Sequence, residues 1–282
     1  MMDVVTRQAA TTYQIPRAYG AGRQPHRMPP RPRRRFRSFL VLMSSVLVGV
    51  VVLALASRLD ELDRRSPRIE IPDGIPPGPG APLPSIDVNA PGRTANLLHD
   101  WSAPLSESLA ISSTALEAYG YAAAVMAATR PACGLGWTTL AGIGAVESKH
   151  GTYGGAHVDS DGQVNPPIRG VPLDGSAGVA DIPDTDGGAM DGDATHDRAM
   201  GPLQFIPETW ARWGVDANGD GVVDPDNIDD AALTAARYLC ARGGDLTTED
   251  GWTAALMAYN LSGEYLLDVR ERAAAYSVGV RR

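Results

Sequence analysis

Leu140-Ala141-Gly142-Ile143-Gly144-Ala145-Val146-Glu147-Ser148-Lys149-His150-Gly151 is the stretch on which the fold turns. Leu140, Ile143, Gly144 and Val146 fall near helical spacing and predict a buried helix face. Glu147 arrives one turn later, ahead of glycine residues that predict the helix stop. A carboxyl at the lip of an apolar wall is placed to stay protonated near neutral pH, because burial disfavours its charged form. Cleavage of a glycosidic bond needs such a general acid. An ordinary solvated glutamate in a last helical turn fits the same letters, and this segment alone does not separate the two readings.

Helical signals continue on both sides. Ser112 to Thr129 is alanine-rich, with Leu116, Tyr119, Ala123 and Met126 on one stripe, and Arg130-Pro131 breaks it. Thr138 or Thr139 is expected to cap the Glu147 helix. Further helices are expected at Pro207 to Trp213, Ile228 to Arg242, Gly251 to Leu261 and Gly263 to Tyr276, the second stopped by Gly243-Gly244. Residues 154 to 198 are rich in glycine, proline and aspartate and read as a long functional or inserted loop. The predicted fold class is mainly α.

The chain has 282 residues, with 25 basic and 33 acidic side chains. Nine arginines and one acid, Asp3, precede residue 57, so the rest holds 16 basic and 32 acidic groups, a net charge of −16. Such an acidic body would repel phosphates, which argues against nucleic acid as a partner. Phe39 to Ala56 carries no charge, long enough to span a bilayer, and Arg31, Arg33, Arg34, Arg35 and Arg37 precede it. The expected arrangement is a coreless basic cytoplasmic tail at 1–37, a transmembrane helix at 38–57, a juxtamembrane and Pro/Gly-rich linker at 58–100, and an extracytoplasmic domain at 101–282. Ala54-Leu55-Ala56 also resembles a signal-peptidase site, which leaves open a cleaved leader. Cys133 and Cys240 are the two cysteines, expected to form a disulfide outside the cytoplasm, with two buried thiols as the alternative.

Four segments carry a family resemblance: Ile143 to Ser148, Arg198-Ala199-Met200-Gly201-Pro202-Leu203-Gln204-Phe205-Ile206-Pro207-Glu208-Thr209-Trp210, the Asp216 to Asn227 loop, and Met257-Ala258-Tyr259-Asn260-Leu261-Ser262. In order, spacing and identity they resemble lytic murein transglycosylases of the membrane-bound transglycosylase B-like branch, over about residues 105 to 276. The resemblance implies a lysozyme-like helical domain acting on peptidoglycan glycan strands. Glu147 would be the single acid/base that cleaves the bond between N-acetylmuramic acid and N-acetylglucosamine without water, leaving a 1,6-anhydro sugar. Ser148, Met200, Gly201, Gln204, Tyr259, Asn260 and Tyr265 would border the substrate, with Tyr259 near Glu147 and Tyr265 one step further along. Two other outcomes stay open: a muramidase-type hydrolase, helped by a carboxylate from Asp159, Asp161, Asp184, Asp186, Asp191, Asp193 or Asp197, and a binding scaffold without catalysis.

Asp216, Asn218, Asp220, the Val222 carbonyl and Asp224 match the start of a calcium loop, with Gly221 at its sharp turn. Position 12 is Asn227 instead of a bidentate glutamate, so a further carboxylate such as Asp229 would have to complete the shell. The resemblance implies a structural calcium site; the letters alone also describe an Asx-rich turn. His150, His157 and His196 lack metal-ligand spacing.

Overall fold

The computed structural model describes residues 51–52, 69–176 and 178–282. The expected tail at 1–37 lies outside the described residues, and so do the membrane helix, apart from Val51 and Val52, and the first part of the linker. Among the described residues no helix is long and apolar enough to cross a membrane. Arg68 to Arg282 form one unit.

Seven α-helices build it: α1 (His99–Leu109), α2 (Ser113–Thr129), α3 (Trp137–Ser148), α4 (Pro207–Trp213), α5 (Ile228–Gly243), α6 (Glu249–Tyr259) and α7 (Gly263–Ser277). This mainly helical architecture fits a lysozyme-like α domain. Ser112 caps α2, its Oγ accepting the Ala115 N–H at 3.2 Å. In α2, the run from Ala115 to Ala123 is buried on every side, and α3 is buried from Trp137 to Gly144. Both are therefore central helices and not surface helices with one apolar stripe. Small residues allow the close packing: a Cβ on Gly142 would lie 2.7 Å from the Val269 carbonyl of α7, and one on Gly144 would meet the Tyr119 hydroxyl of α2.

No threonine caps α3. Its N-cap is Gly136, and the Thr138 hydroxyl donates instead to the Gly78 carbonyl at 2.8 Å. That contact belongs to a larger correction. The proline-rich segment expected to be a linker up to residue 100 lies against the helical core. Trp137 Nε1 donates to the Ala81 carbonyl (3.0 Å), the Tyr121 hydroxyl to the Val88 carbonyl (3.1 Å), and Ile75, Ala81, Leu83, Ile86 and Val88 pack on core side chains. Its apolar residues, sparse among prolines, find a surface that no periodicity announces.

The 154–198 region forms two small antiparallel pairs, β1 (His157–Val158) with β2 (Val164–Asn165), and β3 (Arg169–Pro172) with β4 (Arg198–Met200). A disulfide joins Cys133 to Cys240, with Cα atoms 5.5 Å apart, and ties the turn before α3 to α5. Beneath the surface, Arg93 bridges two buried acids, Glu117 (2.6 Å) and Asp229 (2.7 Å).

Candidate active site

Glu147 is held where α3 ends. Lys149 and His150, not a glycine, take the left-handed conformation there (φ 53° and 60°), and the His150 N–H returns to the Gly144 carbonyl at 2.8 Å. The stop is enforced from outside the helix. The buried His150 ring lies between the Tyr119 hydroxyl (3.3 Å from Nδ1) and the Tyr276 hydroxyl (3.1 Å from Nε2). Burial, with a smaller contribution from Arg272, pushes its pKa down to about 3, so it is a neutral structural ring at physiological pH.

The Glu147 side chain stands on a ridge between two cavities of about 540 and 490 Å³. Tyr265, from the first turn of α7, donates its hydroxyl to Glu147 Oε1 at 2.6 Å. Burial raises the carboxyl pKa to about 7, and the Tyr265 hydrogen bond offsets part of that rise. Near neutral pH the group is thus poised between acid and conjugate base, which suits proton donation followed by proton recovery.

The larger cavity brings Glu147 together with Gln204, Tyr259 and Asn260, all expected at the site. The Tyr259 hydroxyl, expected to orient Glu147, instead donates to the Leu203 carbonyl at 2.7 Å; its ring lies parallel to that of Tyr265, centroids 6.5 Å apart. Tyr265, the weaker expectation, makes the direct contact. Asn260 Oδ1 accepts the Ser262 N–H at 3.1 Å and ends α6. Gln204, at φ 50°, donates its amide to the Gly201 carbonyl at 2.7 Å while facing the cavity.

Three expected substrate contacts point elsewhere. Ser148 is buried, donating to the Pro202 carbonyl (2.6 Å) and accepting the Gly151 N–H (2.7 Å), so it ties the end of α3 to the Met200–Phe205 turn. Met200 is fully buried in the core. Gly201 sits at φ 70°, and a Cβ there would come within 1.8 Å of the Pro225 carbonyl, so the close approach it permits is to backbone and not to sugar.

The long loop supplies Leu173, Ala180 and Ile182, which form an apolar wall of the larger cavity facing Tyr259 and Tyr238. Its acids do other work. Asp159 accepts from Asn165 (2.7 Å), Asp161 from the Gln163 N–H (3.1 Å), Asp191 from the Arg198 N–H (2.6 Å), and Asp193 from the Arg198 guanidinium (2.9 Å). Asp184 and Asp186 accept backbone N–H groups of their own turn, and Asp197 accepts from Thr185 across the loop. Among the described residues that line the two cavities, Glu147 is the one carboxylate.

The Asp216–Asn227 loop lies apart from Glu147. Asp216 accepts the Gly219 and Gly221 N–H groups, and Asp220 the Val222 N–H, as the sharp turn requires. Asn227, the expected last ligand, is committed otherwise: Oδ1 caps α5 at Asp229 N, and Nδ2 donates to the Asp161 carbonyl. Asp229 is no substitute, because Arg93 holds both its oxygens. Asp230, which the sequence reading did not single out, braces the loop. It is buried, its oxygens accept the Ala217 and Asp224 N–H groups at the two ends of the loop, and burial, helped by Asp216, raises its pKa to about 7. Asp230 and Asp216 thus spend their oxygens on backbone N–H groups of the loop, and among the described residues the acids whose oxygens converge within 4.8 Å are not these but Asp184, Asp186 and Asp197 of the long loop.

Residues 194–259 match the family model for the transglycosylase SLT domain. The match takes in β4, the cleft turn at Gln204, the Asp216 loop and Tyr259, and stops short of Glu147 and Tyr265. Comparison with curated proteins and with solved structures gives no match. Over residues 194–259, within this mainly helical fold, the chain is similar to the transglycosylase SLT domain, and that likeness supports the lytic transglycosylase, lysozyme-like family.

Proposed function

We propose that this chain is a peptidoglycan lytic transglycosylase in which Glu147 alone serves as acid and then as base. The SLT match supports peptidoglycan lytic transglycosylase activity in general. One observation carries the finer reading: Glu147 is the one carboxylate among the described residues lining the cleft, and burial keeps it near its protonation midpoint. A hydrolase that inverts or retains through an enzyme carboxylate needs two such groups on the scissile bond. With one, the nucleophile must come from the substrate. Glu147 protonates the glycosidic oxygen as the bond from the muramyl C1 breaks and N-acetylglucosamine leaves. The muramyl 6-hydroxyl attacks C1, passes its proton to the Glu147 carboxylate, and closes the 1,6-anhydro ring. The enzyme returns to its starting protonation state, and no water is consumed. Tyr265 holds the carboxyl in place and steadies the anionic form between the two steps.

In this reading the domain works outside the cytoplasmic membrane, anchored by the apolar segment at 39–56, and the Asp216 loop with Asp230 holds a structural calcium ion. The test is a digest of purified murein by the full-length chain, with the soluble products weighed. Anhydro-muropeptides, lighter by one water than hydrolysis products, are expected. Reducing ends instead would replace the reading with a muramidase, and full activity in Glu147→Gln would remove the site assignment.

A further inference from the structure

The second cavity beside Glu147 differs in chemistry from the first. Lys149, Arg272, Arg281 and Arg282 line it together with Tyr153 and Tyr276. Four cations thus converge on about 490 Å³ of a body that carries a net −16 outside its first 56 residues. Their placement follows from the fold. Lys149 is the first residue past α3, turned outward by its left-handed backbone, Arg272 sits one turn before Tyr276 on α7, and Arg281 and Arg282 follow α7. The nearby acids leave much of this charge unmatched. Glu271 pairs with Arg282, Asp268 reaches Arg272 only at 3.9 Å, and Lys149 and Arg281 form no ion pair among the described residues. Apart from Glu147, itself half protonated near pH 7, no carboxylate side chain among the described residues lines the cavity.

We infer that this cavity receives the carboxylates of the peptide arm carried by the muramyl residue, so that the enzyme selects peptide-bearing strands over bare glycan. The inference rests on the proposed function, since it takes the muramyl residue to lie at Glu147. A substituent of a sugar at the reaction centre can reach this cavity, because Glu147 lines both cavities. On that sugar the lactyl-linked peptide is the substituent with free carboxylates. Arginine forks and a lysine ammonium recognise carboxylates through charge-assisted hydrogen bonds. The two tyrosines and the floor of Ala145 and Val146 suit the short apolar side chains between those carboxylates.

The full-length chain is assayed on murein glycan strands with intact peptides and on the same strands stripped by an amidase and then capped as methylamides at the lactyl carboxyls that the amidase frees, and the ratio of kcat/KM is read. In parallel, binding of soluble muropeptides with and without the peptide is measured on the Glu147→Gln chain, where turnover does not interfere. The expected preference for the peptide-bearing form is about tenfold, the scale of one added charge-assisted hydrogen bond. Arg272→Gln and Arg281→Gln should shrink that ratio towards unity, raised salt should do likewise, and Arg272→Lys should restore part of it. Equal cleavage and equal binding of the two forms, or a ratio unchanged in both variants, overturns the inference and leaves the transglycosylase reading intact. Selective binding that Arg272→Gln removes, in a chain that cleaves neither strand, supports the pocket and refutes the catalytic reading.

Discussion

Replacing Glu147 by glutamine should stabilise the protein, and by more at pH 8 than at pH 5. The carboxyl titrates at about 7 in the folded chain and at 4.5 when unperturbed. Between those values the folded state binds the proton and the unfolded state releases it, so this group's contribution to stability falls as pH rises from 4.5 through 7 and is flat above. Linkage over the two titration values gives a cost of about 1 kcal/mol at pH 5 and about 3 kcal/mol at pH 8. Glutamine keeps an acceptor for the Tyr265 hydroxyl and removes the charge. The variant should therefore gain about 2–3 kcal/mol more at pH 8 than at pH 5, a difference of roughly 5–10 °C in Tm for a unit of this size. Thermal or urea unfolding of both chains at the two pH values measures it, and comparison of the two pH values cancels any pH-independent effect of the substitution. A gain equal at both, or larger at pH 5, would refute the claim that burial holds Glu147 near neutrality. The alkaline limb of activity follows from the same titration: the wild-type rate should fall as pH rises through about 7, when the group no longer carries its proton.

Four further outcomes test the scaffold. Arg93→Met leaves Glu117 and Asp229 buried without their cation and should cost about 3–5 kcal/mol in urea unfolding. Gly201→Ala combines a left-handed backbone with a clash against the Pro225 carbonyl, so a loss of about 2–5 kcal/mol is expected, read as a lower denaturation midpoint. Removing the Cys133–Cys240 bridge by paired alanines frees a loop spanning 107 positions, and chain entropy sets the loss at about 4–5 kcal/mol in the same assay. Calcium at millimolar concentration should raise the Tm of the wild-type chain, and Asp230→Asn should abolish that rise while Asn227→Ala leaves some of it.

The helices were legible because burial writes itself into local spacing. The sequence places α4 at Pro207–Trp213 and α5 from Ile228, the boundaries seen in the fold, since a proline, an Asx cap and glycines mark those ends. Glu147 was legible too, as an acid closing an apolar helix. The roles of its neighbours were not. Tyr259 and Tyr265 differ by six positions across a helix break, and nothing local says which hydroxyl turns to Glu147 and which to Leu203. Ser148 and Met200 sit in motif positions that suggest substrate, yet the packing of α3 on the Met200–Phe205 turn consumes them. Asp230 lies beyond the expected end of the calcium loop, and it reaches that loop because the first turn of α5 folds back on it.

By itself the chain of letters determined the helical class, the acid at the end of α3, the pair of cysteines and the acidic bulk, all properties of composition and of contacts within a few residues. Tertiary structure decided the rest: that a proline-rich strap packs on the core, that a long aspartate-rich loop gives the cleft an apolar wall while its acids turn to other groups of the loop, and that Lys149, Arg272 and Arg281 meet beside Glu147. Those facts depend on which groups come together across separations from tens of residues to more than a hundred, and on a hydrogen bond or charge satisfied at a distance. Such contacts are set by the packing of α3 against α7, and no period in the sequence encodes them.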